Sequence, residues 1–293
     1  MELEGILTPT LTPFDGDGNV DYHAYEKLLD RLLSERIHCI IPGGTTGEYH
    51  LQTFDERRAI MKFVADRVNG HARLFAGANA TATKDVIELG LFAKDLGYEG
   101  LMLAAPYYSL PSTDELVAHF KAVAAKTRMP IMLYNFPART GVDLNAQFLE
   151  GVRPVKEIFG VKESSGSMAR MHEILIYFAD RYQLICGADD QALEYFVWGI
   201  KGWVAGASNM LPKQHVALYD AVVKKRDVAK GLEIMRKLLP IFMLMEQGSK
   251  YIQFCKYGSE LGGVPVGGTR APFMPLSSAE RQRFAELYEL ATS

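Results

Sequence analysis

Lys162, in Gly160-Val161-Lys162-Glu163-Ser164-Ser165-Gly166, stands where a charged side chain is least expected. It follows Ile158, Phe159, Gly160 and Val161 on a segment that reads as a strand buried on both sides. Burial disfavours the ammonium, so an amine whose free pKa is roughly 10.4 could fall to about 7 to 8 and act as a nucleophile near neutral pH. The same position also suits a strand-end lysine that reaches solvent or pairs with Glu163. Gly43-Gly44-Thr45-Thr46-Gly47-Glu48 sets three glycines around two hydroxyls, which lets backbone amides approach a carboxylate; a tight strand-to-helix turn is the alternative. It is not a phosphate-binding loop, because no Lys-Ser or Lys-Thr follows at the required offset. Tyr134 ends an apolar segment and is either a phenolic proton carrier or a core aromatic. Arg139 offers a planar fork for a substrate carboxylate or for a surface ion pair.

These residues share a frame. Short apolar, β-branched segments alternate with longer stretches of helical spacing, the pattern of βα units closing on a parallel sheet. The candidate strands are Gly5 to Leu11, Cys39 to Pro42, Leu74 to Gly77, Gly100 to Ala104, Ile131 to Tyr134, Ile158 to Lys162, Gln183 to Cys186 and Gly202 to Ala205. Thr53-x-x-Glu56 and Ser112-x-x-Glu115 fit capping boxes and mark two helix starts. Helical periodicity returns over Asp227 to Gln247, Lys250 to Leu261 and Ser277 to Ala291. The expected fold class is α/β, a (β/α)8 TIM barrel over residues 1–225 with a C-terminal helical region over 226–293. In such a barrel function gathers at the C-terminal strand ends, which is where Thr45, Tyr134 and Lys162 fall.

Composition narrows the partners. The chain has 293 residues, 48% hydrophobic and 23% charged, as expected of a globular protein with a sizeable core. A net charge of -3 with scattered Lys and Arg leaves no footprint for nucleic acid or an anionic membrane, so a small-molecule partner is expected. Cys39, Cys186 and Cys255 are odd in number and far apart, which points to buried thiols in a reducing cytoplasm rather than disulfides or a zinc site. The N-terminus lacks a basic segment followed by a long apolar one, and Leu238 to Met245 is too short to cross a bilayer. Asp189-Asp190 reads as a helix start and not as a metal site. The histidines, such as His23, His119 and His215, read as surface residues, with His50 alone near the proposed mouth; Met235, Met243 and Met245 read as core packing.

Four motifs in order resemble the dihydrodipicolinate synthase and N-acetylneuraminate lyase superfamily over nearly the whole chain: Gly44-Thr45-Thr46-Gly47-Glu48, Pro106-Tyr107-Tyr108, Tyr134-Asn135-x-Pro137 and Val161-Lys162-Glu163. The resemblance implies a homotetramer, a dimer of dimers, that needs no metal or organic cofactor. It implies that Lys162 forms an imine with pyruvate or a related 2-oxo acid. Tyr134, Thr45 and Tyr108, the last from a neighbouring subunit, would relay protons. Thr46 would bind the carboxylate, with Gly44, Arg139 and Val204 completing the substrate contacts. Arg139-Thr140-Gly141 resembles the synthase, which implies condensation with aspartate semialdehyde. Departures also occur. The synthase stretch Asn-Pro-x-Pro-Val-Lys stands here as Tyr251-Ile252-Gln253-Phe254-Cys255-Lys256. Tyr49, His50, Phe54, Arg57 and Thr83 differ at the positions of a lysine-feedback site, although Asn79 is retained. The alternatives are a dehydratase, deaminase or aldolase of a sugar-derived or hydroxyproline-derived 2-oxo acid using the same imine, and a non-catalytic barrel that binds a 2-oxo acid.

Overall fold

A computed structural model describes all residues 1–293. Eight parallel strands, β1 Gly5–Pro9, β2 Cys39–Ile41, β3 Arg73–Gly77, β4 Gly100–Ala104, β5 Ile131–Asn135, β6 Ile158–Glu163, β7 Gln183–Cys186 and β8 Gly202–Val204, close in sequence order into a barrel. Around them run α1 Tyr22–Ser34, α2 Phe54–Val68, α3 Thr83–Asp95, α4 Thr113–Thr127, the short α5 Pro137–Thr140, α6 Ala146–Val152, α7 Met168–Tyr177, α8 Ala192–Val197 and α9 Pro212–Tyr219. Three further helices follow, α10 Val228–Gln247, α11 Tyr251–Leu261 and α12 Ser278–Thr292. None is long and apolar enough to cross a membrane.

Every expected strand is present, Gly100–Ala104 and Gln183–Cys186 with the expected bounds and the others with an end shifted by one or two residues. β1 stops at Pro9 rather than Leu11 because the Leu11 amide turns away from the sheet to Asn209 Oδ1 at 3.0 Å. Both expected capping boxes form, at Thr53 and Ser112, and a third forms at Ser277.

Strand residues alternate between two apolar cores. One lies between the barrel and its helices and takes Ile6, Ile40, Leu101, Leu103, Leu133 and Val161. The other fills the barrel interior with Leu7, Cys39, Ile41, Phe75, Met102, Met132, Tyr134, Ile185 and Val204. Val161 faces the helices, so strand alternation turns Lys162 inward, in register with Tyr134 on β5 and Ile185 on β7.

Two sequence expectations fail outside the mouth. His119 and His215 are buried, not on the surface. α9 is pressed between the barrel and α10, so His215 stacks on Trp203 at 4.4 Å and satisfies Nδ1 within its own helix, 2.7 Å from the Leu211 carbonyl. His119 pairs its Nδ1 with Thr83 Oγ1 at 2.9 Å. Met235 and Met245 are core residues, but Met243 is exposed, because it falls on the outer face of α10.

Candidate active site

The pocket at the C-terminal end of the barrel is lined by Lys162 and Ser164 from β6 and its loop, Tyr134 on β5 with Phe136 and Arg139 after it, and Thr45 and Thr46 after β2. Pro9, Gly187, Val204 and Gly206 close its sides, and Glu246, Tyr251 and Ile252 enter from the C-terminal helices.

Lys162 is 5% exposed and does not reach solvent. Neither does it pair with Glu163, whose carboxylate accepts from Asn135 Nδ2 at 2.9 Å and Ser165 N at 2.6 Å and lies 3.8 Å from Arg170. Both alternatives for Lys162 are therefore excluded, and its amine remains in the barrel. Burial pulls its pKa down to about 8, with Asp189 and Glu246 opposing the fall. Room for the side chain comes from Gly187, where a Cβ would sit 2.9 Å from Lys162 Cε.

The Lys162 Nζ lies 3.7 Å from the centroid of the Tyr134 ring. Burial pushes the Tyr134 phenol up to about 12, with the neighbouring Thr45 side chain opposing the rise, so it is protonated at neutral pH. Thr45 and Thr46 sit on a single 3-10 turn, Thr45–Gly47. Gly43 leads into it at φ +77, in the left-handed region. Glu48 closes the turn at φ 59, and its carboxylate is buried against Lys256 Nζ at 2.8 Å and the Arg270 amide at 3.0 Å. Lys256, the one lysine retained from the altered C-terminal motif, thus holds the threonine turn in place.

Of the remaining expected residues, Val204 lines the pocket and Arg139 stands exposed at its rim, 5.1 Å over the Phe136 ring. Gly44 is buried just outside it, against Pro9 and Met102. Tyr108 is 92% exposed on the loop after β4, away from its own chain's pocket. His50 lines an outer vestibule with Tyr49, Tyr107 and Arg139. The buried Arg57 guanidinium backs Tyr49 at 5.2 Å, lies 5.5 Å over Phe54 and donates to the Gly77 carbonyl at 3.2 Å.

Sequence reasoning missed the acidic side of the site. Asp189 does begin a 3-10 turn, Asp189–Gln191, but its carboxylate points inward and accepts from Trp203 Nε1 at 3.0 Å, Ala207 N at 3.3 Å and the Tyr251 hydroxyl. Glu246 lies beside it, with Oε1 3.4 Å from the Asp189 amide. The only sequence signal was a carboxylate closing the apolar run of α10. No cluster of three or more His, Cys, Asp or Glu side chains is placed to hold a metal ion.

A buried, readily deprotonated lysine beside a buried phenol, in the mouth of a (β/α)8 barrel, defines a lyase that works through a Schiff base. The family model for the dihydrodipicolinate synthetase family matches residues 2–291. The chain is 34% identical over 289 residues to 4-hydroxy-tetrahydrodipicolinate synthase 1 of Halalkalibacterium halodurans, covering 98% of this chain and 96% of that protein. Two solved structures superpose with a TM-score of 0.93. One is the 4-hydroxy-tetrahydrodipicolinate synthase of Methylacidiphilum fumariolicum, 29% identical, covering 99% of this chain and 96% of that one. The other is YagE of Escherichia coli K12 in complex with pyruvate, 28% identical, covering 99% and 98%. The chain belongs to the dihydrodipicolinate synthetase family.

Proposed function

We propose that Lys162 forms an imine with pyruvate and that the resulting enamine condenses with aspartate semialdehyde. The observation that carries this reading is the buried Lys162 amine, at a pKa of about 8, 3.7 Å from the Tyr134 ring. The Nζ lone pair attacks the C2 ketone, the carbonyl oxygen leaves as water, and the iminium withdraws electrons from C3. The proton for the departing oxygen comes from the Tyr134 phenol, recharged through Thr45. Thr46 and the amides of its turn receive the substrate carboxylate. The covalent imine is the electron sink, and no metal or organic cofactor enters the reaction.

Tyr108 acts in the pocket of a neighbouring subunit of a homotetramer. Its exposure on a loop at φ +79, away from its own pocket, supports this arrangement. A reducing cytoplasm suits the three buried free thiols. Arg139 at the rim, with its guanidinium exposed, is the group that meets the aldehyde substrate's carboxylate.

A second reading keeps the imine and changes the partner. Tyr251 and Glu246 line this pocket, and they favour a hydroxylated 2-oxo acid that is cleaved, dehydrated or deaminated. Borohydride with pyruvate should leave a reduced adduct on Lys162, and a peptide map without one would overturn the enzyme reading in favour of a non-catalytic binding barrel. A coupled assay of pyruvate plus aspartate semialdehyde beside 2-oxo-3-deoxy sugar acids separates the two substrate classes. Turnover of a sugar acid without turnover of the semialdehyde would reject the first.

A further inference from the structure

Lys162 lies between two different proton carriers in barrel order. Tyr134 flanks it from β5, and the loop after β7 flanks it from the other side with Asp189 and the adjoining Glu246. Glu246 stands near the C-terminal end of α10, Val228–Gln247, and lines the same pocket as Lys162. An imine needs one proton relay at C2. A bond made or broken at C3 needs another, at the oxygen of the carbon that C3 attacks.

We infer that Glu246 is that second acid-base group, acting on the oxygen at C4, so that the substrate class is a 2-oxo acid that carries a hydroxyl on C4 once the bond to C3 exists. This inference rests on the imine reading of Lys162.

Asp189 and Glu246 are too close for both to ionise readily. Asp189 is stabilised as the anion by three donors, Trp203, Ala207 and Tyr251. Glu246 receives only the Asp189 amide, at 3.4 Å, so the proton resides there. The other ionisable groups around Glu246 are Asp190 beside Asp189, Lys162 on β6, Tyr134 on β5, and Tyr251 and Cys255 on α11. Burial and the two aspartates raise the Glu246 pKa, while the Asp189 amide and Lys162 lower it. In the condensing direction C3 of the enamine attacks the aldehyde carbon. The carbonyl π pair takes the Glu246 proton and becomes the C4 hydroxyl, the iminium is regenerated, and the carboxylate recovers a proton from water. Cleavage runs the same transfers backwards.

The test is Glu246→Gln in the full chain, with two readouts. Trapping of pyruvate on Lys162 by borohydride, together with deuterium exchange at pyruvate C3, reads the imine and enamine. The kcat for pyruvate plus aspartate semialdehyde, or for 2-oxo-3-deoxygluconate, reads the step at C4. The expected result is trapping and exchange within a few-fold of wild type, a kcat lower by about a hundredfold, and loss of one limb of the kcat pH profile. An equal fall in exchange and kcat would make Glu246 a support for Lys162 alone and overturn the inference, as would an unchanged kcat. A wild type that forms the adduct but turns over neither substrate overturns the C4 assignment. A wild type that forms no adduct overturns the imine reading first.

Discussion

Lys162 Nζ stands 3.7 Å from the centroid of the Tyr134 ring, on the adjacent strand and in register with it. The ring face offers the ammonium some stabilisation, worth about 2 kcal/mol in a dry site, yet burial outweighs it and leaves the pKa at about 8. The neutral amine is therefore available well below the pH an exposed lysine would need. The rate of borohydride-trapped adduct formation with pyruvate should rise with pH and level off just above 8. A rise continuing towards roughly 10.4, the free lysine value, would show that the amine is not desolvated.

The same burial makes Lys162 a liability for the fold. Its charge is disfavoured in the folded state in full below about 8, and the penalty fades as the pH climbs to the unfolded value of 10.5. Lys162→Met should therefore be more stable than wild type at pH 7, by about 1–3 kcal/mol, with the advantage shrinking above pH 8. Urea midpoints at pH 7 and pH 10 measure both. A less stable Met variant at pH 7 would mean that the ion-pairing influence of Asp189 and Glu246 outweighs burial.

Tyr134→Phe keeps the ring beneath Lys162 and removes only the hydroxyl. Adduct formation should persist while turnover falls by about a hundredfold, as expected for a lost acid-base group. Full activity in single-turnover and steady-state assays would remove Tyr134 from the proton path.

What could be read from the sequence follows from what is local. Strands buried on both faces are apolar throughout, so Ile131 to Tyr134 and Gly100 to Ala104 announced themselves, and the Ser112 and Thr53 boxes needed only a four-residue window. Lys162 stood out by breaking such a run. Glu246 and His215 did not, because their surroundings come from α10 packing on the Asp189 turn and on α9, the first of these a contact between segments far apart in the chain. Arg139 could be read as a carboxylate fork from its own loop, but nothing local foretold that Glu246 would line the same pocket as Lys162.

The two buried histidines give a prediction at the acid side. Burial holds both His119 and His215 down to about 4, below the usual 6.5. The unfolded chain therefore binds more protons between those values, and the stability that the neutral rings permit is present above pH 6.5 and lost as the pH falls towards 4. Wild type should lose several kcal/mol between pH 7 and pH 4.5, and His215→Phe, which keeps the stack on Trp203, should lose about 1–3 kcal/mol less. Equal losses in the two proteins, followed by urea unfolding, would show that His215 does not titrate on unfolding.

The final prediction concerns Lys256 and Glu48, which are 3% and 0% exposed and 2.8 Å apart. Lys256 Nζ also donates to the Gly268 carbonyl at 2.6 Å and sits 4.3 Å over Phe14, so it joins α11 to the turn that carries Thr45 and Thr46. Removing one partner leaves a buried charge unpaired. Lys256→Met should therefore destabilise the protein by about 3–5 kcal/mol, whereas Lys256→Met with Glu48→Gln should recover part of the loss. The threonine turn would also loosen. In the single variant KM for pyruvate should rise and kcat should fall with it, because Thr46, which receives the carboxylate, and Thr45, which recharges Tyr134, share that turn. A double-mutant cycle followed by urea unfolding, run beside steady-state kinetics, separates the outcomes. A single variant as stable as wild type would remove the ion pair as an anchor, and a fall confined to kcat would place its influence on the lysine and not on the turn.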